Sequence, residues 1–261
     1  MIYFSTKIIN KFKVYLFYLL KRETRKFFFI LLKRKIYRLL NQKEYSNKNK
    51  SLDWFKKKKI SDKNFYRKIG IIKPRNFFIE NKNYYLSAKL KQRKLNYKMG
   101  GKAHLNLLYN LVINLKPKNI LETGVAFGWS TLVFLLSKKK FTKLTSIDLS
   151  YPTSSSDKYV AMALPANLKN KLTLIRGIDY DYLNILYKEK KFFDFIHYDS
   201  DKSYIGRKKN YLLIWKLLKK NGCFISDDIS DNAAFYEFIK SKKIKHYILQ
   251  TGSKYVGIIF K

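Results

Sequence analysis

The chain has 261 residues, of which 46% are hydrophobic and 17% aromatic, which is enough for a folded core and excludes global disorder. Its single cysteine, Cys223, excludes a disulfide framework and a cysteine-based metal site, so we expect a reducing, cytoplasmic location. The net charge of +38 is typical of proteins that bind nucleic acids or anionic surfaces. Most of the basic residues are Lys, however, whereas nucleic-acid sites prefer Arg. Lys is encoded by A-rich codons. A compositional bias toward A/T-rich codons therefore explains much of the positive charge, and no functional role is needed for it.

The N-terminal part of the chain is the most basic. Residues 1–100 hold 29 Lys and Arg against five acids. Residues 1–40 alternate apolar and basic blocks, each shorter than the ~20 apolar residues needed to span a bilayer. We expect amphipathic helices there, which either pack on the domain or a partner or lie on the anionic inner face of a membrane. Residues 42–63, rich in Lys, Asn and Ser, suggest a linker. Residues 1–95 are thus expected to form a basic, aromatic extension that cofactor binding does not need.

From about residue 97, helical and strand patterns alternate. Helices are predicted at 104–115, 130–137, 204–218 and 233–240. Strands are predicted at 119–123, 143–147, 172–176, 193–198 and 223–226, with a closing hairpin of residues 244–249 and 255–260. This order predicts an α/β domain over residues 96–261. Its Rossmann-like, doubly wound sheet is mostly parallel, ends in an antiparallel hairpin, and binds ligands at the carboxyl ends of its strands.

A glycine turn follows the first predicted strand. Glu122 lies near the end of that strand. Gly124 and Gly128 form the turn, and a helix opens at Ser130. The spacing differs from the dinucleotide fingerprint and from the phosphate loop. Glycines allow a ligand to approach the backbone closely, and the helix N-terminus presents free N–H groups. An acid before the turn suits a ligand with a cationic or hydroxyl-rich part better than a pyrophosphate.

Four of the five predicted parallel strands end in acids. These acids are Glu122, Asp148, Asp199 and the pair Asp227-Asp228. Asp148 is placed to accept hydrogen bonds from the hydroxyls of a ribose. The acids after the fourth and fifth strands could converge on a hard divalent cation such as Mg²⁺, which prefers oxygen ligands. Lys202 lies just beyond Asp199, and a lysine beside a metal loses its proton more readily and can serve as a general base.

These motifs together resemble class I S-adenosylmethionine-dependent methyltransferases. The resemblance rests on Glu-x-Gly-xxx-Gly-x-Ser at 122–130, Asp148, the run Phe-Asp-Phe-Ile-His-Tyr-Asp-Ser-Asp-Lys-Ser-Tyr at 193–204, and Gly-Cys-Phe-Ile-Ser-Asp-Asp at 222–228. Within that class, the chain is similar to the cation-dependent O-methyltransferases of the catechol and caffeoyl-CoA type. It is equally similar to small bacterial methyltransferases of surface-polysaccharide gene clusters. The resemblance covers residues 99–261.

The resemblance implies a role for each motif residue. The cofactor-binding residues would be Glu122, Gly124, Gly128 and Ser130 near the amino-acid part, Asp148 at the ribose and Asp179 at the adenine. The metal ligands would be Asp199, Asp227 and Asp228, and the catalytic residues Lys202 and Asp199. Two departures matter: the family usually has Asp-Asn in place of Asp227-Asp228, and the polysaccharide-cluster relatives usually have His at position 202.

The expected activity is O-methylation of a small-molecule or sugar hydroxyl, with or without help from a divalent cation. The alternative is an RNA methyltransferase that uses the basic surface. Base N-methylation commonly uses a Pro-containing motif after the fourth strand, where this chain reads Tyr-Asp-Ser-Asp. A non-catalytic adaptor at a membrane is disfavoured because all the acids are present, and a dehydrogenase because the glycine spacing differs.

Overall fold

The computed structural model describes residues 42–95, 99–102, 104–137, 142–149, 158–242 and 244–261, with nine single residues before them. Those nine, between Leu16 and Ile36, are all helical. The other residues of the 1–40 segment, for which we expect amphipathic helices, lie outside the described residues. Within the described ranges, every helix is too short or too polar to cross a membrane.

Seven strands form one sheet. They are β1 (Asn119–Thr123), β2 (Lys143–Asp148), β3 (Thr173–Arg176), β4 (Phe193–Tyr198), β5 (Leu218–Ser226), β6 (His246–Thr251) and β7 (Lys254–Phe260). Their order is β3-β2-β1-β4-β5-β7-β6, in which β1 to β5 are parallel and β7 is antiparallel to both neighbours. This confirms the predicted fold class. Strand order reverses between β1 and β4, and ligands bind in the crevice at such a point.

Helices cover both faces of the sheet. They are α1 (Gln42–Lys58), α2 (Asp62–Lys68), α3 (Phe77–Glu80), α4 (Lys82–Arg93), α5 (Leu105–Leu115), α6 (Trp129–Ser137), α7 (Ala166–Lys169), α8 (Asp179–Lys188), α9 (Tyr204–Leu217) and α10 (Ala234–Lys242). Successive strand residues point to opposite faces. Accordingly, Phe195 belongs to one buried apolar cluster, with α5 and α6, and Ile196 to another, with α8 and α9.

β5 begins earlier than the sequence predicts. Leu218 already pairs with Phe193, and the ladder resumes at Cys223 opposite Phe195. The residues between form an irregularity in which Asn221 has a positive φ of 62°. The dipeptide Asn221-Gly222, which precedes the predicted strand 223–226, therefore lies within an interrupted strand.

Part of the N-terminal extension packs into the domain. Residues 42–63, which the composition suggested as a linker, contain the 17-residue helix α1. Phe55 of this helix is fully buried and stacks on Tyr255 at a ring separation of 5.9 Å. After α1, Lys59 forms a parallel bridge with Ile248. The domain division at residue 95 stays a prediction, and these contacts cross it.

Candidate active site

The glycine turn is shaped by close contacts within the protein. Gly124 and Gly128 have φ values of +88° and +98°, which glycine adopts without strain. A Cβ on Gly124 would lie 2.4 Å from the carbonyl oxygen of Asp199, and one on Gly128 would lie 2.9 Å from the Cα of Ala161. From the sequence alone, we expect a ligand to approach these glycines closely. In the structure, the backbone at Asp199 and Ala161 also approaches too closely for a side chain at either position.

Glu122 lies beneath the turn and is fully buried. Its carboxylate accepts hydrogen bonds from the hydroxyls of Ser130, Thr131 (2.7 Å) and Ser146 (2.7 Å). Burial raises the pKa of Glu122, although the three hydroxyls oppose this shift. The side chain therefore ties β1 to β2 and to the start of α6, and its predicted contact with the cofactor stays a prediction.

Asp148 ends β2 and holds the turn from the other strand. Its Oδ2 accepts a hydrogen bond of 2.8 Å from the backbone N–H of Ala126, and Arg176 lies 3.6 Å away. Burial raises the pKa of Asp148 to about 6. A carboxylate has further acceptor positions, so ribose hydroxyls remain compatible with this arrangement. Residues 150–157, which follow Asp148, lie outside the described residues.

Asp179 starts α8 and turns toward the segment after β4. Its carboxylate accepts hydrogen bonds from Ser200 Oγ at 2.5 Å and Asn210 Nδ2 at 3.0 Å. Burial raises its pKa. These bonds fix the loop that carries Asp199, and the predicted adenine contact of Asp179 stays a prediction.

A cavity of about 200 Å³ lies at the β1–β4 crevice. It is lined by residues 124–130, by Gly100 and Gly101, and by Asp199 and Lys202. The structure therefore brings Gly124, Gly128 and Ser130 together with both predicted catalytic residues. Glu122, Asp148 and Asp179 stand behind this lining and support it.

Lys202 bridges two of the predicted metal ligands. Its Nζ lies 3.0 Å from Asp199 Oδ1 and also donates to Asp228, which in turn accepts from Lys254 at 2.8 Å. Burial lowers the pKa of Lys202, but Asp199 and Asp228 outweigh burial and hold this pKa above its ordinary value. Lys202 is therefore an ammonium here, and its predicted role as a base stays a prediction.

Asp227 faces a buried histidine. Its Oδ2 lies 3.5 Å from Nε2 of His197, which is fully buried. Burial lowers the pKa of His197, but Asp227 and Glu122 outweigh it, so the pKa lies above its ordinary value. Each predicted metal ligand thus has a cationic or ionisable partner from the protein. Among the described residues, no group of three His, Cys, Asp or Glu side chains could hold a metal ion.

Two further site residues escaped the sequence analysis. The guanidinium of Arg207 is fully buried and donates to the backbone carbonyls of Asp228 (2.8 Å) and Asp227 (3.1 Å). Lys254, on β7, contacts Asp228. Nothing local distinguishes Lys254 among the 56 Lys and Arg. An arginine in an otherwise Lys-rich helix was the available signal for Arg207.

Helix α4 contacts the glycine turn and the loop behind it. Gln92 Oε1 accepts a hydrogen bond of 3.2 Å from the indole of Trp129. Lys91 donates to the carbonyls of Met162 and Leu164, each at 3.2 Å. The extension therefore contacts the cavity wall, and its dispensability for cofactor binding stays a prediction.

Comparisons with known proteins relate part of the chain to methyltransferases. Residues 121–229 match the model of a family described as a methyltransferase domain. This span contains the glycine turn, Asp148, Asp199, Lys202 and the Asp227-Asp228 pair. No curated protein sequence matches the chain.

Solved structures of methyltransferases share the fold. An O-methyltransferase from Bacillus cereus in complex with SAH is 19% identical, with a TM-score of 0.55, and the match covers 74% of this chain and 94% of that one. The O-methyltransferase TomG from Streptomyces achromogenes, in complex with SAM, is 17% identical over 68% and 89%, with a TM-score of 0.56. A putative caffeoyl-CoA O-methyltransferase from Staphylococcus aureus is 19% identical over 69% and 99%, with a TM-score of 0.52. At these identities the likeness establishes the fold.

Proposed function

We propose that this chain is an S-adenosylmethionine-dependent methyltransferase that methylates a hydroxyl oxygen of a small molecule or a sugar, which the match of residues 121–229 to a methyltransferase domain supports. The observation that carries the proposal is that Asp199 and Lys202 line the same cavity as the glycine turn. The expected position of the cofactor therefore lies in the same cavity as Asp199 and Lys202, whose side chains can accept a hydrogen bond from the methyl acceptor or donate one to it.

The surroundings of the turn suit the cofactor. S-adenosylmethionine supplies an electrophilic methyl group on a cationic sulfonium, and Asp199 places negative charge at the cavity. Gly124 and Gly128 both line the cavity. Asp148 steadies the turn through Ala126 and keeps acceptor positions for hydroxyls.

Asp199 and Lys202 would divide the work on the acceptor. The Lys202 ammonium donates a hydrogen bond to the acceptor oxygen and stabilises the negative charge that develops as its proton leaves. The Asp199 carboxylate, whose pKa burial and Asp227 raise to about 6, accepts that proton. Holding the acceptor in line with the methyl group supplies most of the remaining rate, about 7–11 kcal/mol at best.

The test is binding followed by transfer. Calorimetry of the full chain should show one site for S-adenosylmethionine and for S-adenosylhomocysteine. With a panel of phenolic and sugar acceptors, Asp199→Asn and Lys202→Met should both lower kcat, and both should leave affinity for S-adenosylhomocysteine, which lacks the sulfonium charge, within about twofold. A chain that binds neither cofactor form would refute the proposal.

RNA methylation is the second candidate, and the net charge of +38 favours it. Methyl incorporation into total RNA that exceeds incorporation into every hydroxyl acceptor would decide for it. Incorporation confined to the hydroxyl acceptors would decide against it.

We also propose that residues 1–40 hold the enzyme at an anionic membrane. Leu20 and Phe29 are 68% and 61% exposed, and Arg22 and Arg25 beside them are exposed as well. Basic residues at such a surface contribute about 1 kcal/mol each. The chain should co-sediment with anionic vesicles and be released by salt, because these interactions are screened within about 10 Å at 0.1 M. Leu20→Glu with Phe29→Glu should weaken sedimentation, whereas Leu212→Glu, at an apolar position on α9 that is 48% exposed, should not. Equal sedimentation of both variants would refute the membrane contact.

A further inference from the structure

The hairpin delivers a lysine to the acidic edge of the cavity. β7 runs antiparallel to β5 with Gly257 opposite Ser226, so the residues after Ser226 run toward the start of β7. Lys254 is the first residue of β7, and its Nζ lies 2.8 Å from each carboxylate oxygen of Asp228. Its side chain is 60% exposed, so it reaches Asp228 from the solvent side.

A second lysine completes a row of alternating charges. Lys202 contacts the same carboxylate of Asp228 and lies 3.0 Å from Asp199. The row Asp199, Lys202, Asp228 and Lys254 therefore alternates negative and positive groups. Both oxygens of Asp228 already accept from ammonium groups.

Asp228 has little freedom to turn toward another ligand. Its backbone is left-handed, with φ 53° and ψ 36°. Its carbonyl accepts from the fully buried Arg207 at 2.8 Å, and the same guanidinium holds the carbonyl of Asp227 at 3.1 Å. The buried arginine thus fixes the direction from which the Asp228 carboxylate meets the two lysines.

A divalent cation needs free carboxylate oxygens and an excess of negative charge, and this row of alternating charges provides neither. Mg²⁺ and Mn²⁺ bind through bare oxygen ligands, and several carboxylates usually supply a local excess of negative charge. Here the oxygens of Asp228 are committed to two ammonium groups, and Lys202 stands between Asp199 and Asp228. The donor set therefore does not fit the cation that the resemblance to cation-dependent O-methyltransferases implies.

We propose that Lys202 and Lys254 replace the divalent cation in this chain, so that their ammonium groups neutralise Asp199 and Asp228 and the acceptor is oriented without a bound metal. Lys254 acts as a positioning residue, since it fixes Asp228 and through it Lys202. The part of the proposal that concerns methyl transfer rests on the proposed function, and the part that concerns cation binding does not.

Manganese binding to the full chain tests the proposal without any turnover. The electron paramagnetic resonance signal of free Mn²⁺ should persist with the wild type up to about 1 mM, the weak end of carboxylate sites. Lys254→Met removes one positive charge and frees Asp228, so it should bind Mn²⁺ at least about tenfold more tightly than the wild type. Lys245→Met, an exposed lysine outside the row, is the matched control and should behave as the wild type. Adding Asp228→Asn to Lys254→Met should abolish the gain.

Either of two results overturns the proposal. One is micromolar Mn²⁺ binding by the wild type that Asp228→Asn removes. The other is equal Mn²⁺ affinity in Lys254→Met and Lys245→Met when both unfold at the wild-type temperature. If Lys254→Met melts early, Lys254→Gln takes its place in the same comparison. Calorimetry with S-adenosylmethionine in chelator separates the two proposals: failure to bind the cofactor counts against the proposed function, whereas the Mn²⁺ result judges the lysines alone.

Discussion

The two halves of the sheet edge use the same residue type in different ways. At the ends of β1 and β2, the carboxylates of Glu122 and Asp148 accept hydrogen bonds from hydroxyl and backbone N–H groups. At the ends of β4 and β5, Asp199 and Asp228 face lysines. Burial raises the pKa of Glu122 and Asp148, whereas Lys202 and Lys254 outweigh burial and lower that of Asp228. An acid at a strand end therefore takes its pKa from the groups that surround it: hydroxyl donors surround Glu122, a backbone N–H and Arg176 approach Asp148, and two ammonium groups hold Asp228.

The largest effect should come from the β1 side. Glu122→Ala leaves three buried hydroxyls without their shared acceptor and creates a cavity, so it should lower the free energy of unfolding by on the order of 3 kcal/mol. Denaturant titration measures this loss. Glu122→Gln, which keeps the volume and one acceptor oxygen, should lose less, and Asp199→Ala on the other side should lose under about 1 kcal/mol. Equal losses of unfolding free energy for Glu122→Ala and Asp199→Ala would refute the claim that the two sides of the sheet edge differ in their contribution to stability.

Gly124 is where the two halves meet, because a Cβ there would collide with the carbonyl of Asp199 at 2.4 Å. Gly124→Ala should therefore cost about 2 kcal/mol of unfolding free energy, from the clash together with the positive φ. Gly252→Ala is the control, since Gly252 has a positive φ of 58° but no described atom within 4 Å of a Cβ. It should cost about 1 kcal/mol, from backbone strain alone. If the control costs as much, the close approach between the halves contributes nothing.

Asp148 tests whether the β2 acid also serves the cofactor. Asp148→Ala should weaken S-adenosylmethionine binding roughly tenfold, or about 1.4 kcal/mol, by removing the ribose acceptor and the support of Ala126. Calorimetry measures the change. Unchanged affinity would make Asp148 a purely structural residue.

A pH-dependent effect should follow from the Asp148 pKa of about 6. The folded protein binds the proton at this carboxyl up to about pH 6, but the unfolded chain releases it near its ordinary value of 3.8. This group therefore favours the folded state at low pH, and the benefit disappears as the pH rises from about 4 to 6. Cofactor affinity should move the opposite way and fall severalfold between pH 7 and 5, as the ionised acceptor is lost. Asp148→Asn should remove the contribution of this carboxyl to the pH dependence of stability and of cofactor affinity. If the variant and the wild type show the same pH dependence, Asp148 is not the group responsible.

The sequence could predict the sheet and its acidic edge because both follow from local rules. Continuous apolar runs predict buried parallel strands, and the carboxyl ends of such strands meet at one edge, which brought Asp199 and the glycine turn together correctly. The partners of each acid could not be predicted in this way. Ser146 reaches Glu122 from the neighbouring strand, and Lys254 reaches Asp228 from a hairpin 26 positions later.

The linker interpretation of residues 42–63 failed for a related reason. Lys and Asn dominate the composition of that segment and obscure the pair Trp54 and Phe55. The apolar surface that covers Phe55 belongs to Tyr255 and Phe235 near the other end of the chain. The composition of such a helix is dominated by its exposed polar residues, so it does not reveal the few apolar residues that are buried.

The contact between the α1 segment and the hairpin can form only after the last strands have been synthesised. The side chains of Lys59 and Gln250 are hydrogen-bonded across 191 positions of the chain. At the ~5–20 residues per second of translation, Lys59 is made roughly 10–40 s before Gln250. During that interval Phe55 lacks its partner Tyr255, and the nascent chain carries an uncovered aromatic helix beside a dense group of lysines. Completion of the fold therefore waits for the last strands, and a ribosome that stalls before the hairpin would hold this aromatic surface open to solvent and to chaperones.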